Sequence, residues 1–161
     1  MFSQGKNSRL IERKIEQILC ENYNSYYRMA YSFVKNEADA ADIVQEGAYR
    51  AIKQSDSLKE MDFAATWVYR IMMNEIYRFA KKKTCLSFEK ETFLEPVKED
   101  TYENIDLKRA LEAMEPKDRT VIQLKYFEEL KLEEIAEILG ENISTVKSRL
   151  YRGLKKLRKA L

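Results

Sequence analysis

Lys147, Ser148, Tyr151, Arg152 and Lys155, with Ser144 one turn earlier, recur at spacings of three and four residues, which places them on one face of an α-helix. Their types suit a DNA groove. Arginine and lysine donate to guanine O6 and N7, serine reaches bases or phosphates, and a tyrosine ring packs on thymine methyls. On the other side lie Ile143, Val146, Leu150, Gly153, Leu154 and Leu157, a stripe fit for burial. From Lys147 to Leu161 seven cations, Lys147, Arg149, Arg152, Lys155, Lys156, Arg158 and Lys159, stand without an acid. Such a run draws in a phosphate backbone by counterion release. Arg149 sits toward the edge of the apolar stripe, nearer a DNA backbone than its base edges. The alternative is a solvated cationic face at the end of a helical bundle, where positive charge also suits the helix dipole.

The preceding residues would position this helix. Lys131 to Gly140 has the period of a short helix closed by glycine, and Asn142 is placed to accept hydrogen bonds from the free N–H groups of the next first turn. A short helix, a glycine turn and a second helix with one apolar and one cationic face form a helix-turn-helix with its reading face exposed.

Composition limits the class. The chain has 161 residues, 45% apolar and 35% charged, with only 4 Gly and 2 Pro, which indicates a helix-rich folded protein of one domain or two small ones. No apolar run approaches the ~20 residues that span a bilayer, and Met1 to Arg9 lacks a signal-peptide core. A cytoplasmic location follows as the expectation. Cys20 and Cys85 are far apart and there is no histidine, so neither a zinc site nor a Cys-His nucleophile is expected. Without a glycine-rich phosphate loop or a paired-carboxylate site, no enzyme apparatus, metal site or cofactor is expected.

Net charge is only +2, and its distribution is informative. Lys81, Lys82 and Lys83 close a long helical segment. From Leu86 to Asp106 there follow seven acids, Glu89, Glu91, Glu95, Glu99, Asp100, Glu103 and Asp106, against Lys90 and Lys98, with Pro96 among them. That shift marks a linker. The expected fold is all-α, with two small helical domains, 1–83 and 105–161, joined by a flexible acidic linker over 84–104. In the first piece apolar residues keep helical spacing from Leu10 to Leu19 and from Tyr23 to Val34. Asn36 breaks the run, a third helix starts at Asp39 and reaches Ile52, and a fourth runs from Phe63 after a polar loop, Gln54 to Asp62. In the second, Ile105 to Met114 is helical and Pro116, suited to a first helical position, opens a helix through Phe127.

The set Asp39-Ala-Ala-Asp-Ile-Val-Gln-Glu46, Thr66-Trp-Val-Tyr-Arg-Ile71 with Asn74, Glu134-Ile-Ala136 and Thr145-Val-Lys-Ser-Arg-Leu-Tyr-Arg152 resembles the extracytoplasmic-function sigma factors of bacterial RNA polymerase. The likeness runs from about Tyr23 to Leu157. The wording Tyr31-Ser-Phe-Val-Lys-Asn36 and Leu130-Lys-Leu-Glu-Glu-Ile-Ala-Glu-Ile138 looks most like the sigma-V branch.

The resemblance implies a role for each piece. The first piece looks like region 2, which docks on the clamp coiled coil of core RNA polymerase and opens the minus-10 promoter element. The last looks like region 4, which reads the minus-35 element and sits on the flap. Carried over by position, Asp42, Gln45 and Glu46 would make the polar contacts to the clamp, with Ile43 packing behind them. Asp39 fits an N-terminal charge or cap better than a contact. Trp67, Arg70, Asn74 and Arg78 would face minus-10 DNA, the last three at intervals of four. Trp67, Ile71 and Phe79 fit a core role equally well. Ser144, Lys147, Ser148, Arg149, Tyr151, Arg152 and Lys155 would serve at minus-35.

Three departures accompany the likeness. Ala64 stands where primary sigma factors carry the aromatic that captures a flipped base, which leaves capture to the loop Gln54 to Lys59. Lys131 replaces the usual serine or threonine cap, and Glu141 replaces an apolar turn residue; loss of such a cap costs ~1 kcal/mol. The acidic linker would thread the polymerase's nucleic-acid channels, or else serve as an ordinary tether. Implied partners are core polymerase through clamp and flap, promoter DNA, and an anti-sigma factor anchored in the membrane, with envelope stress as the trigger. Two other readings stay open: a free-standing helix-turn-helix regulator that needs no polymerase, and a first half that serves only protein interaction.

Overall fold

Eight α-helices, with no strand among them, make up the described residues, 2–87 and 102–161, of the computed structural model. The chain divides into two units, Met1–Glu91 and Thr92–Leu161.

The first unit contains α1 (Phe2–Glu21), α2 (Tyr23–Val34), α3 (Glu37–Lys53) and α4 (Ala64–Ser87), with short 3-10 turns at Ser55–Ser57 and Met61–Phe63. Its core comes from one face of each helix: Ile15 and Ile18, then Tyr26, Met29 and Ala30, then Ala40, Ile43 and Val44, then Val68, Met72, Met73 and Ile76. Burial of each large apolar side chain stabilises the unit by ~1.5–3 kcal/mol. Gly47 lets α3 approach α4 closely, since a Cβ there would run into Met72 Sδ.

Two helix starts lie earlier than periodicity predicts. The first helix begins at Phe2 rather than near Leu10. The third begins at Glu37 because the Asn36 side chain accepts from the Asp39 N–H at 2.9 Å. Asn36 therefore ends one run and caps the next, while Lys35, at φ 53°, makes the left-handed turn between them. Asp39 sits in the first turn, facing Lys83 Nζ at 3.4 Å. The loop expected to be polar buries Ser55 and Leu58.

The linker expected over 84–104 falls mostly outside the described residues. At its edges α4 continues through Ser87 and α5 opens at Tyr102.

The second unit contains α5 (Tyr102–Glu112), α6 (Pro116–Tyr126), α7 (Leu132–Leu139) and α8 (Ile143–Ala160). Pro116 takes a first-turn position. Gly140, at φ 65°, ends α7 and donates its N–H to the carbonyls of Ala136 and Glu137, a turn that glycine makes without Cβ strain. Two residues on, Asn142 accepts from Thr145 N and starts α8. The core joins Leu111, Met114, Val121, Leu124, Ile135, Ile138, Val146 and Leu150. Gly153 brings α8 onto α6, where a Cβ would stand 3.0 Å from Ile122.

Candidate nucleic-acid interface

Helix α8 divides as its sequence suggests at most positions. Val146 is fully buried and Leu150 nearly so, whereas Lys147, Ser148, Tyr151, Arg152 and Lys155 are exposed, Tyr151 at 69%. Ile143, on the apolar side, is 36% exposed. Ser144 is exposed, and its hydroxyl and that of Thr145 both reach Asn142 Oδ1, at 3.0 and 2.9 Å. Ser148 Oγ donates to the Ser144 carbonyl at 3.0 Å. These hydroxyls are held against the helix.

Arg149 stands apart from the cationic face. Its side chain is only 14% exposed. Nε and Nη2 donate to the two carboxylate oxygens of Glu141 at 2.8 and 3.0 Å, and Nη1 donates to Asp118 Oδ1 at 3.0 Å. Glu115 stands 3.6 Å away. The structure thus turns the Arg149 guanidinium inward, to carboxylates eight and thirty-one residues earlier in the chain. Glu141, the departure from an apolar turn residue, is the group that holds it, with Lys117 Nζ at 3.2 Å as a further donor. Hydrogen bonding to Arg149 lowers the Glu141 carboxyl below its ordinary range, against the opposing effect of burial, and the same bond raises the guanidinium. Lys131 precedes α7 with no side-chain cap bond.

Helix α4 presents Arg70, Asn74 and Arg78 as exposed positions on one face, as their spacing suggests. Beneath them Glu75 is buried. Its carboxylate meets Arg78 Nη2 at 3.0 Å and Arg50 Nε of α3 at 2.8 Å. Trp67, Ile71 and Phe79 are each half-buried. Ala64 is fully buried and offers nothing to a base, but the neighbouring Met61 and Phe63 are exposed. Sequence pattern opens the fourth helix at Phe63, whereas the structure sets Met61 and Phe63 in a 3-10 turn before it, where no helical face marks either residue.

On α3, Asp42, Gln45 and Glu46 are exposed and Ile43 is buried behind them. The same stripe continues through Tyr49, exposed at 59%, with Lys53 Nζ 5.7 Å from its ring centroid. The signal for Tyr49 was its position seven residues after Asp42, two turns along the same face. Among the described residues no His, Cys, Asp and Glu group of metal-holding size occurs, and no described helix is long and apolar enough to cross a membrane.

The chain matches the family Sigma-70 region 2 over residues 20–84 and the family Sigma-70, region 4 over residues 105–157. It is 42% identical over 143 residues to the RNA polymerase sigma factor SigV of Bacillus subtilis (strain 168), covering 87% of this chain and 86% of that one. The ECF RNA polymerase sigma factor SigW of the same organism is 35% identical over 153 residues, covering 84% and 82%. The fold is shared with the sigma factor RpoE of Bartonella quintana, solved in complex with the anti-sigma factor NepR (TM-score 0.71, 24% identity, 92% and 94% of the two chains). CnrH in complex with the cytosolic domain of CnrY has it too (TM-score 0.71, 21% identity, 94% and 92%).

The chain belongs to the extracytoplasmic-function group of the sigma-70 family, on the sigma-V-like side of it. Its class is that of DNA-binding initiation factors of RNA polymerase, not enzymes. The region 2 match also separates it from a free-standing helix-turn-helix regulator.

Proposed function

We propose that the first unit carries the polymerase-docking and minus-10 functions of this sigma factor and that the second carries minus-35 recognition. Lys147, Ser148, Tyr151, Arg152 and Lys155 enter the major groove at minus-35, with Ser144 at the helix start. The observation that carries this reading is the two-sided α8. Its cations and Tyr151 are exposed opposite a buried Val146 and Leu150, so the helix can offer a groove its whole polar face without losing packing. Arg149 supports that face from inside.

Asp42, Gln45 and Glu46, extended by Tyr49, dock on the basic clamp coiled coil, with Ile43 as packing. Arg70, Asn74 and Arg78 hold phosphates and base edges at minus-10. Trp67, half-buried, wedges at the upstream fork, and the loop that ends in Met61 and Phe63 receives the unpaired base, where stacking on an aromatic ring is worth ~1–3 kcal/mol. The protein works in the cytoplasm in a cell-envelope stress response, and a membrane-anchored anti-sigma factor holds it inactive by covering the polymerase-facing surfaces. Support for that partner comes from the fold relatives solved with anti-sigma factors.

The test is initiation on promoter DNA. The full chain with core RNA polymerase should start transcription at promoters that neither component uses alone. A specific operator footprint by the chain without polymerase, with no core-dependent initiation, would reject the reading.

A further inference from the structure

Arg152 and Arg149 lie three residues apart on α8 and both reach one carboxylate, that of Asp118 on α6. Asp118 has no exposed surface. Its Oδ1 accepts from Arg149 Nη1 at 3.0 Å, whereas Oδ2, equally buried, makes no hydrogen bond and faces Arg152 Nε at 3.4 Å. The Arg152 side chain is 50% exposed. Its Nε edge is thus turned toward a buried charge, while half of its surface remains open to solvent.

A guanidinium is a rigid planar fork of five donors, and reading a guanine takes two of them along one edge. Arginine also loses rotamer freedom when it is ordered on binding. A carboxylate that already faces the Nε edge at 3.4 Å attracts it, removes part of that loss and leaves the terminal nitrogens aimed one way. When DNA displaces water from around Arg152, the attraction to Asp118 strengthens, and Oδ2 has the acceptor capacity to receive Nε. The same negative charge lowers the net positive charge that α8 offers to phosphates, in specific and unselected complexes alike.

We propose that Asp118 is a positioning residue for minus-35 recognition, which orients Arg152 for base reading and sets the ratio of specific to non-specific binding. This rests on the assignment of the α8 face to minus-35 DNA. Asp118 itself touches no base. Its carboxylate serves two arginines with different tasks, one structural and one recognitive.

The test uses holoenzyme reconstituted from the full chain and core polymerase, selecting from promoter DNA with a randomised minus-35 element. Asp118→Asn keeps the shape and an acceptor for Arg149. It should weaken preference about fivefold or more at the base pair whose preference Arg152→Ala abolishes, with binding to unselected duplex equal or stronger. In the Arg152→Ala background, Asp118→Asn should change base preference no further. A merely structural Asp118 would instead lower specific and non-specific binding together, and that outcome overturns the proposal. So does wild-type preference in Asp118→Asn when Arg152→Ala has lost it. Unchanged preference in Arg152→Ala overturns the α8 assignment as well, which separates the two failures.

If Asp118→Asn does not fold, Arg152→Lys decides. Lysine keeps the charge but cannot rest one edge on Asp118 and offer a fork with the other. Preference at that base pair should then be lost while binding to unselected duplex stays within about twofold, because the phosphate attraction depends on charge number. Retained preference in Arg152→Lys overturns the proposal.

Discussion

Arg149 and Glu141 are joined by two parallel hydrogen bonds, Nε to Oε2 at 2.8 Å and Nη2 to Oε1 at 3.0 Å, so the turn before α8 is tied to the second turn of that helix. Both side chains are mostly covered, which makes the pair stronger than a surface bridge. Glu141→Ala should destabilise the second unit by about 1–2 kcal/mol, read as a lower denaturant midpoint in the full chain. An unchanged midpoint would show that Asp118 alone suffices for Arg149.

The same pair sets an acid limb. The Glu141 carboxyl lies below its ordinary value in the folded chain, first through the Arg149 hydrogen bond. Its contribution is therefore fully present above the unfolded pKa, about 4.3, and is lost as pH falls through the folded value. Glu141→Gln should flatten the fall in unfolding free energy on that side relative to wild type. Parallel curves for the two proteins would deny the linkage.

Buried and exposed residues of α8 allow packing to be separated from the proposed reading of DNA. Val146 is fully buried, and Val146→Ala should cost about 1–3 kcal/mol in thermal or denaturant unfolding through lost burial and the cavity left behind. Lys147, exposed, should leave stability within about 0.5 kcal/mol when changed to alanine. If Lys147 meets a phosphate, Lys147→Ala lowers the salt slope of holoenzyme binding by roughly one; if it meets a base, it relaxes preference at one position. No effect on either property removes Lys147 from the interface.

The stripe of α3 proposed to dock on the clamp is one that the core does not need. Asp42→Lys with Glu46→Lys should abolish binding to core polymerase in a titration while the thermal midpoint stays near wild type. The fold tolerates the second change because Arg50, which faces Glu46 at 3.1 Å, retains the buried Glu75 at 2.8 Å. Unaltered affinity for core would reject the α3 assignment.

Trp67 is half-buried, and promoter opening tests the wedge role proposed for its open part. Holoenzyme with Trp67→Ala should bind a pre-melted fork nearly as well as wild type yet leave bubble thymines of a closed duplex less reactive to permanganate. An equal loss on both templates would assign the ring to the core alone.

Local signals already mark most of these elements in the amino-acid order. The two faces of α8, the Gly140 turn, the Asn142 cap and the exposed row Arg70, Asn74, Arg78 each depend on residues within one or two turns, where helical geometry alone fixes who is neighbour to whom. Asn36 shows how local chemistry can still be misjudged: its short polar side chain both interrupts an apolar run and caps the helix after it.

Tertiary structure decided what stands opposite each face. Periodicity gives Arg149 a direction at the rim of the apolar stripe, but the fold of the turn before α8 brings Glu141 to its guanidinium, and packing of α8 on α6 brings Asp118, so that the side chain is tied inward. Tyr26 is buried and Tyr49 exposed although both are tyrosines on amphipathic helices. Ile143 shares the apolar side of α8 with Val146, yet it stays 36% exposed in the first turn. The physical reason is common to all three. Spacing along a chain sets the angle of a side chain about its own helix axis, whereas burial, charge pairing and the freedom to meet DNA depend on residues far away in sequence that the fold brings within a few ångströms.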